Sequence, residues 1–229
     1  SLSIRAMVYL LKLYALSKGE KPEILAFRNA HKTFITACAV TDTEITWLYG
    51  KGNKGITCCD ISADEVKAYL DSTEELPAAL YVTSPDYLGN MADISAISKI
   101  CKKYGVLLLV DNAHGAYLKF LTESKHPIDL GADICCDSAH KTLPVLTGGA
   151  YLHISSDAPE SFASQAKNAL ALFGSTSPSY LILQSLDLAN PTMENCADEI
   201  KALSEKVAQA KNIFAEKGFA LFGNEPLKI

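Results

Sequence analysis

Short runs rich in apolar residues alternate along the chain with longer segments in which apolar residues recur every three or four positions. The short runs are typical of buried strands and lie at residues 23–27, 44–49, 78–82, 106–110, 132–136 and 149–154. The longer segments are typical of helices with one apolar face and lie at residues 4–16, 31–40, 62–70, 93–104, 159–172, 178–188 and 192–217. Strands that alternate with helices predict an α/β fold built on a parallel sheet.

The last helical segment, residues 192–217, is the longest and is predicted to form one helix ended by Gly218. Its apolar residues fall on a single stripe. The stripe consists of Ala197, Ile200, Leu203, Val207, Ala210 and Phe214.

The overall composition excludes several classes of protein. Of the 229 residues, 48% are hydrophobic and 21% are charged, which is ordinary for a globular protein. The net charge of −5 provides no basic surface, so nucleic acid is not an expected partner. No apolar run approaches the roughly 18 residues that a membrane span needs. The seven cysteines are odd in number and show neither a Cys-x-x-Cys pair nor a Cys/His ligand spacing. They are therefore interpreted as reduced thiols of a cytoplasmic protein, and no metal site is expected.

Three polar clusters follow strands of the predicted sheet. They lie at residues 29–32, 111–115 and 138–141, after the strands that end near Phe27, Val110 and Cys136. Ligands of open α/β sheets bind beyond the carboxyl ends of the strands. We therefore expect the three clusters to converge on one cleft.

The residue types in these clusters match what pyridoxal phosphate (PLP) requires. PLP needs a lysine for covalent attachment and a carboxylate that keeps its ring nitrogen protonated; Lys141 and Asp111 can supply these groups. Ser138 and His140 can reach the phosphate, and His31 can stack on the ring. Each of these residues also has a common structural role, so the pattern alone leaves the question open.

A resemblance to a known family favours the functional interpretation. The family is the Orn/Lys/Arg decarboxylases, the bacterial-type group of fold-type-I PLP enzymes, whose large domain is shared with aspartate aminotransferase. The stretches that resemble it are Arg28-Asn29-Ala30-His31-Lys32, Val110-Asp111-Asn112-Ala113-His114-Gly115-Ala116, Gly131-Ala132-Asp133, Ser138-Ala139-His140-Lys141-Thr142-Leu143-Pro144 and Ser175-Thr176-Ser177-Pro178-Ser179-Tyr180. The resemblance implies a three-layer α/β/α fold with a mostly parallel central sheet.

The resemblance also implies a role for each site residue. Lys141 would bind PLP covalently, Asp111 would pair with the ring nitrogen, and His31 would stack on the ring. Lys141 or His140 would return a proton to the substrate. The remaining predicted cofactor contacts are His114 beside Asp111, Ser138 and His140 near the phosphate, Ser1 at the end of a phosphate loop, and Ser175 and Ser177 reaching into a partner subunit. Asn112 and Ala139 depart from the residues that are frequent in the family, at positions without an obligatory chemical role.

The implied activity is decarboxylation of lysine, ornithine or arginine to an amine used in polyamine biosynthesis, by a homodimer with shared active sites. Residues 1–229 would form a single PLP-binding large domain, as a fragment that lacks the small C-terminal domain of the family. Two alternatives stay open: another fold-type-I PLP enzyme, such as an aminotransferase or a lyase, and a relative that binds PLP without turnover. A nucleotide-binding domain is disfavoured because the Gly-rich run at residues 50–55, after the strand segment 44–49, is not followed by a predicted helix. Lys32, in a similar Ala-His-Lys context, is the rival for covalent attachment.

Overall fold

The computed structural model describes residues 2–50 and 59–229, which form a six-stranded sheet between helices. The strands are β1 (Glu23–Phe27), β2 (Glu44–Leu48), β3 (Ala79–Thr83), β4 (Leu107–Asp111), β5 (Ile134–Asp137) and β6 (Tyr151–Ile154). Their order across the sheet is β2-β1-β3-β4-β5-β6. Strands β1 to β5 are parallel, and β6 pairs with β5 in the antiparallel sense. The predicted mostly parallel sheet is therefore confirmed.

Eight helices surround or follow the sheet in the described part of the chain. They are α1 (Leu2–Ser17), α2 (Lys32–Thr41), α3 (Ala63–Ser72), α4 (Ile94–Tyr104), α5 (Ala139–Thr142), α6 (Glu160–Phe173), α7 (Tyr180–Glu194) and α8 (Ala197–Glu216), with a 3₁₀ turn at Ala116–Phe120. None of the helices in this part of the chain combines the length and apolarity that crossing a bilayer requires.

The two faces of the sheet are covered by different helices, because alternate residues of a strand point to opposite faces. On β4, Leu109 packs with α1, α2 and α6, in a cluster that includes Met7, Phe34 and Phe162. The neighbouring Leu108 instead joins a second cluster, formed with α3 and α4. Each cluster joins one face of the sheet to a layer of helices, which gives the three-layer α/β/α fold that the resemblance implied.

One predicted helix boundary is wrong. Residues 192–194 belong to α7, and the break falls after Glu194 instead of before Thr192. The helix continues through Pro191, although proline lacks the N–H that the helical ladder uses. Continuation places Ala189 and Met193 one turn apart on the buried side of α7, and this burial offsets the missing hydrogen bond.

The apolar stripe of α8 is mostly exposed in the single chain. Ile200 is buried, in a small third cluster with Tyr117. Leu203 is half exposed, and Phe214 remains partly accessible. The pattern correctly predicted a helix here, but Ile200 is the only residue of the stripe that is buried.

Candidate active site

The three polar clusters lie at the carboxyl edge of the sheet. Asp111 is the last residue of β4 and pairs in register with Thr83 of β3 and Cys136 of β5. Ser138 directly follows β5, and His31 precedes the first residue of α2. The charges of His31 and Lys141 both act on Asp111. The three clusters therefore lie at one edge of the sheet, and their convergence on a single cleft stays a prediction.

Asp111 is a buried carboxylate whose hydrogen-bond donors, among the described residues, are neutral. Its side chain accepts hydrogen bonds from the Tyr81 hydroxyl at 3.0 Å and from the backbone N–H of Ala113 at 3.1 Å. Burial raises the pKa of Asp111 above its ordinary value, and the two donors and the nearby charges only partly oppose that rise. A cationic group brought next to this carboxylate would stabilise its ionised form.

Tyr81 is a site residue that the sequence interpretation missed. It lies in β3, fully buried, and its ring stacks on Phe34 with centroids 3.8 Å apart. This packing fixes the ring, so that its hydroxyl points at Asp111. The available signal was a hydroxyl group within an otherwise apolar strand, because such a group needs a buried partner.

Lys141 and His114 form a pair beside Asp111. The Lys141 Nζ lies 3.2 Å from the His114 Nε2. Burial, followed by the charges of Lys141 and Lys228, lowers the pKa of His114 to about 4. His114 is therefore neutral near pH 7, and its Nε2 can accept a hydrogen bond from the lysine ammonium.

His31 caps the N-terminus of α2. Its Nδ1 accepts a hydrogen bond from the backbone N–H of Thr33 at 3.2 Å, which holds the ring in one orientation. The residue is exposed, so a flat ligand can reach the ring. Lys32, the rival lysine, begins α2 and is also exposed.

Ser138 and His140 belong to the turn that carries Lys141. Ser138 precedes α5 without a side-chain cap hydrogen bond. His140 donates from Nδ1 to the carbonyl of Gly149 at 3.0 Å, which anchors the turn to the segment before β6. Thr142 has a buried hydroxyl without a hydrogen-bond partner in the described part of the chain. The predicted phosphate contacts of Ser138 and His140 stay predictions.

The other predicted contacts lie elsewhere. Ser175 and Ser177 are exposed before α7 and bond to each other, the Ser177 N–H donating to the Ser175 Oγ at 3.1 Å. Ser1 lies outside the described residues. Among the described residues, no contact joins Ser175 or Ser177 to Asp111 or Lys141.

The residues at this edge fit PLP by their chemistry. Asp111 offers a buried anionic acceptor that lacks a cationic hydrogen-bond donor among the described residues. Lys141 offers a primary amine next to a neutral imidazole. Thr142 contributes an unpartnered buried hydroxyl to the turn that bears Lys141.

Comparison with protein families matches residues 4–218 to the family described as Orn/Lys/Arg decarboxylase, major domain. The chain is 33% identical to the uncharacterized protein YaaO of Bacillus subtilis (strain 168), over 78% of this chain and 37% of that protein. It is 30% identical to an arginine decarboxylase of the same organism, over 85% of this chain and 39% of that protein. The chain therefore spans well under half of the length of these relatives.

Two solved structures share the fold at low sequence identity. The SepCysS–SepCysE N-terminal domain complex superposes with a TM-score of 0.74 at 18% identity, over 100% of this chain and 61% of that one. Oryza sativa TDC with PLP superposes with a TM-score of 0.70 at 14% identity, over 98% of this chain and 50% of that one.

Proposed function

We propose, from the premise that the chain belongs to the Orn/Lys/Arg decarboxylase family, that it binds PLP and forms part of an enzyme that decarboxylates lysine, ornithine or arginine. Its fold is that of the fold-type-I PLP enzymes. The observation that carries the proposal is the buried Asp111 carboxylate at the same sheet edge as the Lys141–His114 pair.

Asp111 would hold the ring nitrogen of the cofactor in its protonated form. When bound, PLP supplies an electron sink for the electron pair that is released as the carboxylate leaves. Tyr81 and the Ala113 N–H fix the Asp111 carboxylate in place, so little reorganisation is needed during the reaction. In a buried site such a fixed charge stabilises a developing opposite charge strongly.

Lys141 would attach the cofactor and later move a proton. Its ammonium must lose a proton before the amine can react, and the neutral His114, within hydrogen-bond distance, would orient the nitrogen. Once the carboxylate has left, Lys141 or His140 would return a proton to the substrate carbon. His31, held by its cap on α2, would cover one face of the ring.

The reaction class is tested by purifying the protein from its source and assaying it with PLP and, in turn, with lysine, ornithine or arginine. We expect CO2 and the amine of one of these substrates in equal amounts. Release of a keto acid without CO2 would instead assign an aminotransferase. PLP binding without turnover of any of the three would favour a non-catalytic relative.

Homodimerisation is the second part of the proposal, and the exposed apolar surface of α7 supports it. Four large side chains of this helix are exposed by 48–81%: Tyr180, Leu181, Leu183 and Leu188. Exposed apolar patches of this kind mark interaction surfaces, and the exposed Ser175 and Ser177 precede the same helix. Sedimentation equilibrium should give a dimer, and Leu181→Glu should shift it toward the monomer.

A further inference from the structure

A second buried carboxylate, Asp137, ends β5, the strand beside β4, and has more hydrogen-bond donors around it than Asp111 has. It accepts hydrogen bonds from Asn112 Nδ2 at 2.7 Å, His153 Nε2 at 2.9 Å and His126 Nε2 at 3.1 Å. The donors come from three segments: the residue after β4, strand β6, and the loop before β5. Asp137 therefore joins the parts of the chain that surround the predicted lysine turn.

The hydrogen-bond pattern fixes the protons in this cluster. His126 Nδ1 accepts from the backbone N–H of Ile128 at 3.4 Å, so the ring proton resides on Nε2 and points at Asp137. Burial acts to raise the pKa of Asp137, but hydrogen bonds from His126 and His153 outweigh it and hold that pKa well below its usual range. Asp137 is thus an ionised acceptor whose hydrogen-bonding needs are met.

A metal ion is the competing explanation for the same residues. His126, Cys135 and Asp137 place potential ligand atoms within 4.8 Å of one another. Coordination through His126 Nε2 would move the ring proton to Nδ1, where it would face the Ile128 N–H. Burial also raises the pKa of the Cys135 thiol well above its usual value, which disfavours the thiolate that metals bind. The hydrogen-bonded arrangement fits these observations better.

The position of Asp137 links the cluster to the cofactor site. Asp137 directly precedes Ser138 and lies four residues before Lys141. Its partner Asn112 directly follows Asp111, and the Asn112 backbone N–H also donates to the Cys136 carbonyl at 2.9 Å. The spacing between the ends of β4 and β5 therefore depends on contacts made by Asn112 and Asp137.

We propose that Asp137 is a positioning residue that sets the separation of Asp111 and Lys141. It would act through Asn112 on one side and through the Ser138–Lys141 turn on the other, and the separation would determine where the cofactor ring binds. This inference rests on the proposed PLP function. Asp137 would act through these neighbours and not by contacting the cofactor.

The test compares Asp137→Asn with Asp133→Asn. Asp133 is a matched control: it is a buried carboxylate of the same chain segment at the opposite edge of the sheet, where it accepts from the Leu108 N–H at 2.7 Å. Both variants keep side-chain size and remove one buried charge. The readouts are the PLP dissociation constant, the visible circular dichroism of bound PLP, and the zinc content of the purified protein.

We expect Asp137→Asn to weaken PLP binding by about tenfold or more, comparable to losing one charge-assisted hydrogen bond, and to change the visible circular dichroism. Asp133→Asn should bind PLP as the wild type does. Equal PLP binding by wild type and Asp137→Asn would overturn this inference but not the proposed function. So would stoichiometric zinc that is lost in Asp137→Asn. A wild-type protein that does not bind PLP would defeat the proposed function as well.

A second pair of variants covers the case in which Asp137→Asn does not fold. His153 is partly exposed, so substitutions there are tolerated more easily. His153→Gln keeps a donor for Asp137 and should retain PLP binding, whereas His153→Leu removes the donor and should weaken binding. Equal PLP affinity of the two variants would contradict the positioning role.

Discussion

The ends of the neighbouring strands β4 and β5 carry two buried carboxylates with opposite properties. In the part of the chain that the structure describes, the hydrogen-bond donors to Asp111 are neutral, and burial raises its pKa. Asp137 accepts from two imidazoles and an amide, and these contacts lower its pKa despite burial. The difference separates a carboxylate that is ready to receive a cationic ligand from one whose interactions are already satisfied inside the fold.

The largest expected effect comes from Asp111→Asn. If Asp111 stabilises the protonated ring nitrogen, kcat should fall by about 100- to 1,000-fold, the range seen when one preorganised electrostatic contact is removed. The apo protein should become more stable near pH 7, because an uncompensated buried charge is removed. Steady-state kinetics and urea unfolding measure the two effects, and a stability loss in the apo variant would contradict the comparison.

Asp137→Asn should destabilise the apo protein, whereas Asp111→Asn should stabilise it. The ionised carboxylate of Asp137 accepts four hydrogen bonds, three from nitrogen donors and one from the Cys135 thiol, so its loss should lower the free energy of unfolding of the apo protein by about 2 kcal/mol. Urea unfolding measures this change, with Asp157→Asn as an exposed control. A variant as stable as the wild type would show that the contacts of Asp137 contribute little.

The pH dependence of these two variants sharpens the contrast. For Asp137 the folded pKa lies below the ordinary value of 3.8, so its stabilisation is present above that pH and is lost as the pH falls through the folded pKa. For Asp111 the folded pKa lies above 3.8, so ionisation above that pH destabilises the fold. The stability gap between the two variants should therefore narrow in two stages as the pH falls: the contribution of Asp111 is lost above pH 3.8, and that of Asp137 is lost below it. A gap independent of pH would contradict both assignments.

Tyr81→Phe is expected to have a moderate effect. It removes the hydroxyl that donates to Asp111, while Phe34 still packs against the remaining ring. One net hydrogen bond corresponds to roughly 0.5–1.5 kcal/mol, so PLP affinity should fall by about three- to tenfold. Cofactor titration tests this, and an unchanged affinity would mean that Tyr81 does not support Asp111.

The smallest expected effect is on the way the free energy of unfolding varies with pH, and it comes from His114. Its folded pKa of about 4 lies below the ordinary 6.5, so the unfolded chain binds more protons between these values and stability falls as the pH drops through that window. His114→Gln should flatten this part of the stability profile. An unchanged slope between pH 6.5 and 4 would contradict the neutral state of His114.

The strands and helices could largely be predicted because local patterns determine them. The strand β4 is apolar up to Asp111, and α4 begins after the capping Asp93 and ends at Gly105, as the sequence indicated. The break between α7 and α8 could not be predicted, because it depends on burial of Met193 against distant residues.

The candidate site residues likewise divide into those that the sequence indicated and those that it did not. Asp111, Lys141 and His31 were recognisable because each follows a strand and matches a family motif. Tyr81 was missed because it stands inside an apolar strand, where its hydroxyl gains meaning only from the register with β4. The cluster around Asp137 was missed because His126 and His153 approach it from opposite sides in the sequence, and only the fold brings them together.

The most direct test of the central claim identifies the lysine that binds the cofactor. The PLP-loaded protein is reduced with borohydride, digested and analysed by mass spectrometry, with Lys141→Ala and Lys32→Ala treated in parallel. We predict a phosphopyridoxyl group on Lys141 in the wild type and in Lys32→Ala, and none in Lys141→Ala. Labelling of Lys32, or undiminished labelling of Lys141→Ala, would contradict the account.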